Sequence, residues 1–413
     1  MSTLLMIMID GLSADAFTEH AADLPNLHAL AAEGRTVASV AADVPATSLP
    51  GRTGILTGVG SERHGVYGNL VLDGTAFRYA NPDDVRVPTL PRRAREAGLD
   101  VAVMGFGMVR PEDAHAYRGP WWAGEMLQRA RDLHPIPADE GWLRTQRHDD
   151  PTGRMAPLHR AGLPADVPDA YAGDRLHYLL AELEGDRTMM RWSAGLALQD
   201  PPPDLILTEI LTPDSVQHVA GPDDPFSRWS LAYADGLVGS LMGELRRAGR
   251  LDEATVLITS DHGHGRVEGA LYHDAILPDM PASAEGGVLY VLAETPAERR
   301  DAEARLAAHG ATPLEGTHLP DDVRGRVATF VAPPGHVFEP RPAGTEGATG
   351  PSRHRSGHGF APGTRSDRRV LIARGPGVQP GVRDGAAAAD VEATLAELLG
   401  LPAFGEGHPL TRS

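Results

Sequence analysis

"TVLITSDHGHG", residues 255–265, starts as an apolar run and ends on an aspartate and two histidines separated by glycine. Its first part is short and rich in β-branched residues, which fits a strand buried on both faces. Asp261 and His262 follow directly, and Gly263 lets the chain turn sharply, so the strand would deliver a carboxylate and an imidazole at its carboxyl end. Four more runs read the same way: "TLLMIMI" (3–9), "DVAVMGF" (100–106), "DLILTEI" (204–210) and "RVLIAR" (369–374). Helical stretches alternate with them at 24–34, 88–98, 227–249 and 390–400, several closing on glycine. This alternation indicates an α/β fold with a central, mostly parallel sheet flanked by helices. Ligands of such sheets gather at the carboxyl ends of the strands. The runs pass into Asp10, Asp214, Asp261 and His262, so one sheet edge can collect them all.

The composition narrows the chemistry. A chain of 413 residues can bury a large core, and its net charge of −18 argues against a general nucleic-acid-binding surface. There is no cysteine, which removes disulfides, thiolate nucleophiles and zinc-thiolate sites. All 38 basic residues are arginine, so no phosphate-loop or Schiff-base lysine is available. The opening "MSTLLMIMIDGL" has a short apolar run without a basic leader and reads as a buried strand rather than a signal peptide. No stretch is long enough to cross a membrane, and the expectation is a cytoplasmic protein without a membrane partner.

Two regions break the alternation. Residues 107–203 have weak periodicity and read as a long irregular excursion of the core. Residues 264–357 contain a strand–helix–strand unit whose helix starts at Thr295, Pro296 and Glu298, a capped start. The expected division is a catalytic core of 1–263 and 358–413, with 264–357 inserted as a cap.

Several residues at the expected edge can carry chemistry. In "PDSVQH" (213–218), Asp214 and His218 are four apart and share a helix face, as metal ligands or as a plain hydrogen-bonded pair. In "SGHGF" (356–360), His358 sits between glycines on a tight loop, whereas His264 and His354 read as surface residues. In "DVPATSLPGRTGILTG" (43–58), Thr47 and Ser48 precede Pro50 at a helix start. A hydroxyl there can cap the helix, and the helix dipole also favours an alkoxide and a bound anion.

The ordered set "MIDG", "PATSLPGRTGILTG", "ERHGVYGN", "TPDSVQHVAGP", "ITSDHGHG", "SGHGF" and "ADVEATLAELLGLP" resembles the alkaline phosphatase superfamily, most closely its nucleotide pyrophosphatase/phosphodiesterase branch. The resemblance runs from Met1 to about residue 402 outside the two insertions. It implies two divalent metal ions, usually zinc with manganese as the alternative. Asp214, His218 and His358 would hold one ion; Asp10, Asp261 and His262 would hold the other, with the Ser48 oxygen. Ser48 would be the nucleophile, with Thr47 as the fallback, and Asn69 would donate to a phosphate oxygen. The implied substrate is a small phosphate ester or nucleotide, cleaved through a covalent phosphoryl-serine. "SLPGRTGILTG" also fits a sulfatase signature, but the absence of lysine and the full Asp214/His218/His358 set favour a two-metal phosphoesterase. Arg52 is left as a structural or phosphate-proximal residue. Phosphomonoesterase activity and a catalytically dead metal-binding protein remain as alternatives.

Overall fold

Leu4–Ile9 (β1) is buried at every position, as its unbroken apolar run requires, and lies within an eight-stranded sheet. The structure is a computed structural model and describes residues 3–123, 148–166, 175–314 and 318–412. The other strands of this sheet are Arg35–Ala41 (β2), Val101–Met104 (β3), Ala116–Arg118 (β4), Leu205–Ile210 (β5), Thr255–Thr259 (β6), Arg368–Arg374 (β7) and Gly381–Arg383 (β8). Their order is β8-β2-β7-β6-β1-β5-β3-β4. β1 pairs in parallel with β5 and β6; Ile9 faces Ile210 and Met8 faces Thr259, so three carboxyl ends lie level. β7 runs antiparallel to both β2 and β6. It therefore enters the sheet at the edge where the others leave it, which holds the preceding segment with His358 at that edge.

The helices that matter for the site are Pro25–Glu33 (α1), Ser48–Thr57 (α2), Arg175–Ala197 (α3), Thr212–Ala220 (α4), Pro225–Arg247 (α5) and Asp390–Leu398 (α6). Residues 107–203 are not uniformly irregular: they include β4 and the 23-residue α3, while 124–147 and 167–174 lie outside the described residues. Periodicity missed α3 because Glu182, Asp186, Thr188 and Ser193 are buried along it and break its apolar stripe. Asp186 has a clear task. Its carboxylate accepts hydrogen bonds from the backbone N–H groups of Leu211 and Thr212, the Thr212 hydroxyl and the Trp121 indole. It thereby satisfies free donors at the start of α4, the helix that carries Asp214 and His218.

Within 264–357, the strands Ala282–Glu285, Val288–Leu292, Val327–Val331 and Thr312–Pro313 form an antiparallel sheet, and the helix Pro296–Ala307 opens with the expected Thr295/Glu298 capping box. Leu289 and Val291 pack with Ala302, Leu306 and Phe330 in a small core of their own. Val288 and Tyr290, on the opposite face, join the main core. The segment is thus seated on the main sheet domain by one face of its own sheet. Among the described residues, no helix is long and apolar enough to cross a membrane.

Candidate metal centre

The level strand ends bring most of the expected residues together. Among the described residues, three groups place ligand atoms within 4.8 Å of one another: Asp10, Asp261 and His262; Asp214, His262 and His358; and Asp214, His218 and His264. The first is the expected set. The expected trio Asp214, His218 and His358 is not one of these groups as such: Asp214 belongs with each histidine separately, His218 Nε2 lies 3.5 Å from Asp214 Oδ2, and the His218 and His358 ring centres are 5.1 Å apart. His262 joins both groups and stacks on His358 with ring centres 3.9 Å apart.

His264 corrects the sequence reading. It is buried, not a surface residue, with Nε2 2.7 Å from Asp214 Oδ1 and Nδ1 2.9 Å from Ser356 Oγ. The short pairing of Gly265–Arg266 with Ser356–Gly357 folds the loop inward, which the glycines flanking His264 concealed. His354 is partly buried, with its ring centre 5.2 Å from that of His218.

Proton positions favour a cation. Carbonyl oxygens only accept, so His262 Nδ1–H must donate to Gly263 O at 3.1 Å, and His218 Nδ1–H to Ser356 O at 2.9 Å. Each Nε2 then faces the cluster, the arrangement that metal-ligating imidazoles adopt. Asp10 Oδ1 and His358 Nδ1 are buried without a hydrogen-bond partner. Burial and the neighbouring Asp261 push the Asp10 carboxyl well above the usual range. Burial acts the same way on Asp214, but His218, His264 and His262 outweigh it and hold that carboxylate well below its ordinary value. Burial, with His262 and His218 beside it, keeps the His358 ring neutral by lowering its pKa strongly. The neutral His358 ring and the crowded carboxylates, with unpartnered ligand atoms on His358 and Asp10, fit divalent metal ions.

Ser48 is the first residue of α2, and Thr47 is its N-cap. The Ser48 hydroxyl lies 3.1 Å from His262 Nε2, on the same nitrogen that faces Asp10 and Asp261. Close packing holds it there: a Cβ added to Gly51 would stand 2.7 Å from the Asp261 carbonyl oxygen, so only glycine lets α2 lie this near the metal-side loop. Asn69 Oδ1 accepts from Leu49 N–H at 2.8 Å, which leaves its NH2 as the donating end.

Arg52 is not a free phosphate clamp. Its guanidinium, 1% exposed, reaches Asp10 Oδ2 at 2.6 Å, Asp261 Oδ2 at 2.5 Å and Glu209 Oε2 at 3.0 Å. Glu209 on β5 also accepts from the Trp122 indole and from Gly107 N–H. Glu209 is a residue that the sequence reading missed. Its signal was a lone carboxylate inside the apolar run "LILTEI", which demands a partner once buried.

Comparison with known proteins gives the chain's family and its fold. The sequence profile of the type I phosphodiesterase / nucleotide pyrophosphatase family matches residues 4–336. The mouse bis(5'-adenosyl)-triphosphatase enpp4 is 23% identical over 261 residues, covering 63% of this chain and 46% of the relative. Its Xenopus laevis counterpart is 27% identical over 267 residues, with the same 63% and 46% coverage. The chain thus spans about half the length of the curated relatives it matches. The fold is similar to that of murine ectonucleotide pyrophosphatase/phosphodiesterase 5, solved as an inactive variant with AMP: TM-score 0.70 and 17% identity over 99% of this chain and 98% of that one. The human counterpart gives a TM-score of 0.70 at 16% identity, over 99% and 97% of the two chains.

Proposed function

Because the chain belongs to the type I phosphodiesterase / nucleotide pyrophosphatase family, a family of phosphoric ester hydrolases, we propose that it cleaves phosphodiester or nucleotide pyrophosphate bonds with Ser48 as its nucleophile. The observation that carries this reading is the Ser48 hydroxyl at a helix start, 3.1 Å from His262 Nε2, where the carboxylate and imidazole groups converge. Asp10, Asp261 and His262, with the Ser48 oxygen, would hold one divalent ion. By the family resemblance, Asp214, His218 and His358 would hold another; His218 and His358 each lie near Asp214, and His264 packs on it. Zinc suits these donors, with manganese as the alternative. When bound, such ions polarise phosphoryl oxygens and make a serine hydroxyl easier to ionise.

The protein's own groups then have defined tasks. Ser48 Oγ attacks phosphorus as the bond to the leaving alcohol or phosphate breaks, giving a phosphoryl-serine ester that water hydrolyses in a second displacement. The N-terminal end of α2 favours the anionic group that approaches Ser48. The Asn69 NH2 donates to a non-bridging oxygen, with its orientation fixed by Leu49 N–H. Two equivalents of metal per chain are expected on elemental analysis of metal-replete protein. A reproducible single equivalent would favour a one-metal, sulfatase-like hydrolase instead.

Arg52 bears on substrate choice. Held by three carboxylates, it is not available to balance the second negative charge of a phosphomonoester. Asn69, a neutral donor, suits the single charge of a diester. We therefore expect kcat/KM for the p-nitrophenyl ester of TMP to exceed that for p-nitrophenyl phosphate at one pH. A clear preference for the monoester would make this protein a phosphatase.

A further inference from the structure

One hairpin of the 264–357 segment lies against both the Asn69 loop and the His358 loop. Glu285 ends the strand Ala282–Glu285, and Gly286 and Gly287 turn the chain into Val288–Leu292. The Glu285 side chain is buried, and among the described residues no arginine is one of its hydrogen-bond or ion-pair partners. Its Oε2 accepts from Asn69 N–H at 2.6 Å and its Oε1 from Leu70 N–H at 2.7 Å. Two consecutive backbone donors on one carboxylate fix the path of the chain at Asn69. Tyr290, on the next strand, holds the same loop by donating its hydroxyl to Tyr67 O, with the two rings packed edge to face at 5.3 Å. On the other side of the turn, Gly287 N–H donates to His358 O at 2.9 Å. Gly286 has φ +64°, and an added Cβ would come within 2.3 Å of that same carbonyl oxygen, so the hairpin sits directly on the His358 loop.

We propose that Glu285 is a positioning residue that reaches from the inserted segment and sets Asn69 against the reacting phosphoryl group. An acidic side chain in this place is costly as mere packing, because burial opposes its charge and raises its pKa to about 7. Its two charge-assisted bonds make sense if the position of the Asn69 backbone matters. The backbone fixes where the Asn69 amide begins, Leu49 N–H fixes which way it faces, and the NH2 is thereby aimed. The inserted segment then acts on the chemical step itself.

This inference rests on the reading of Asn69 as a phosphoryl donor, and a double-mutant cycle separates the two. Asn69→Ala alone should lower kcat by about 10²-fold, the scale for losing one donor to a developing charge. Glu285→Ala should lower kcat by about tenfold, with KM and bound metal little changed. Glu285→Gln, which keeps the shape and one acceptor, should recover most of that loss and also serves if the alanine variant fails to fold. In the Asn69→Ala background, either Glu285 change should have less than about a twofold effect, because its route to the substrate is gone. An undiminished Glu285 effect in that background would overturn the proposal, as would loss of metal in the Glu285 variants, which would point to the His358 contact instead. Wild-type kcat in Asn69→Ala would overturn the reading of Asn69 itself, and with it the proposal.

Discussion

Ser48→Ala should abolish turnover, with kcat falling at least about 10³-fold, while the fold persists. The size of the effect follows from the chemistry: the variant lacks the oxygen that would carry the phosphoryl group. The modest effect on stability follows from the structure. Ser48 is the first helical residue and not the N-cap, and its hydroxyl makes one hydrogen bond, to His262. Loss of that bond should cost about 1 kcal/mol. Thr47→Ala should keep most of the activity, since the buried Thr47 hydroxyl is not among the groups that converge on Ser48 and lies toward the Glu285 carboxylate instead. Steady-state kinetics and melting curves for both variants check this. Near-normal activity in Ser48→Ala with loss in Thr47→Ala would shift the nucleophile by one residue.

The second large effect concerns stability. Arg52→Met keeps the volume but removes the charge that balances Asp10, Asp261 and Glu209, all buried. Breaking a buried ionic cluster by deleting one partner leaves unpaired charge in the interior, at a cost of about 3–5 kcal/mol. The loss should be greatest in metal-free protein, where no other cation relieves Asp10 and Asp261. Adding Glu209→Gln should restore part of the stability, because it removes one of the orphaned charges. Urea denaturation of chelated wild type, single and double variants measures this. A single variant within about 1 kcal/mol of wild type would mean that Arg52 does not hold the cluster together.

Much of this arrangement was legible in sequence because strand length and ligand position are coupled. Strands β1, β5 and β6 are short, mostly apolar and buried at every position, so the polar residues that follow them had to emerge at one edge. Asp214 and His218 were legible for a local reason, the four-residue spacing on a helix. What sequence could not show was pairing between distant segments. The antiparallel β7 carries the same apolar pattern as a parallel strand, and β2 (35–41) was missed because its second half alternates between buried and exposed positions. His264 looked exposed because its burial depends on a two-residue pairing 90 residues downstream. Arg52 was visible, but its three partners lie 42, 157 and 209 positions away. Glu285 lies in "ASAEGGV", where nothing local separates it from an exposed turn residue.

The account depends most on a covalent bond at Ser48. Acid quenching during turnover of a diester substrate would strip bound metal and stop the second displacement, whereas a serine phosphate ester survives acid. Peptide mass spectrometry of the quenched protein should then find the substrate's phosphoryl or nucleotidyl group on Ser48, and find none in Ser48→Ala. An adduct on Thr47, or active enzyme that never carries an adduct under rapid quenching, would contradict it.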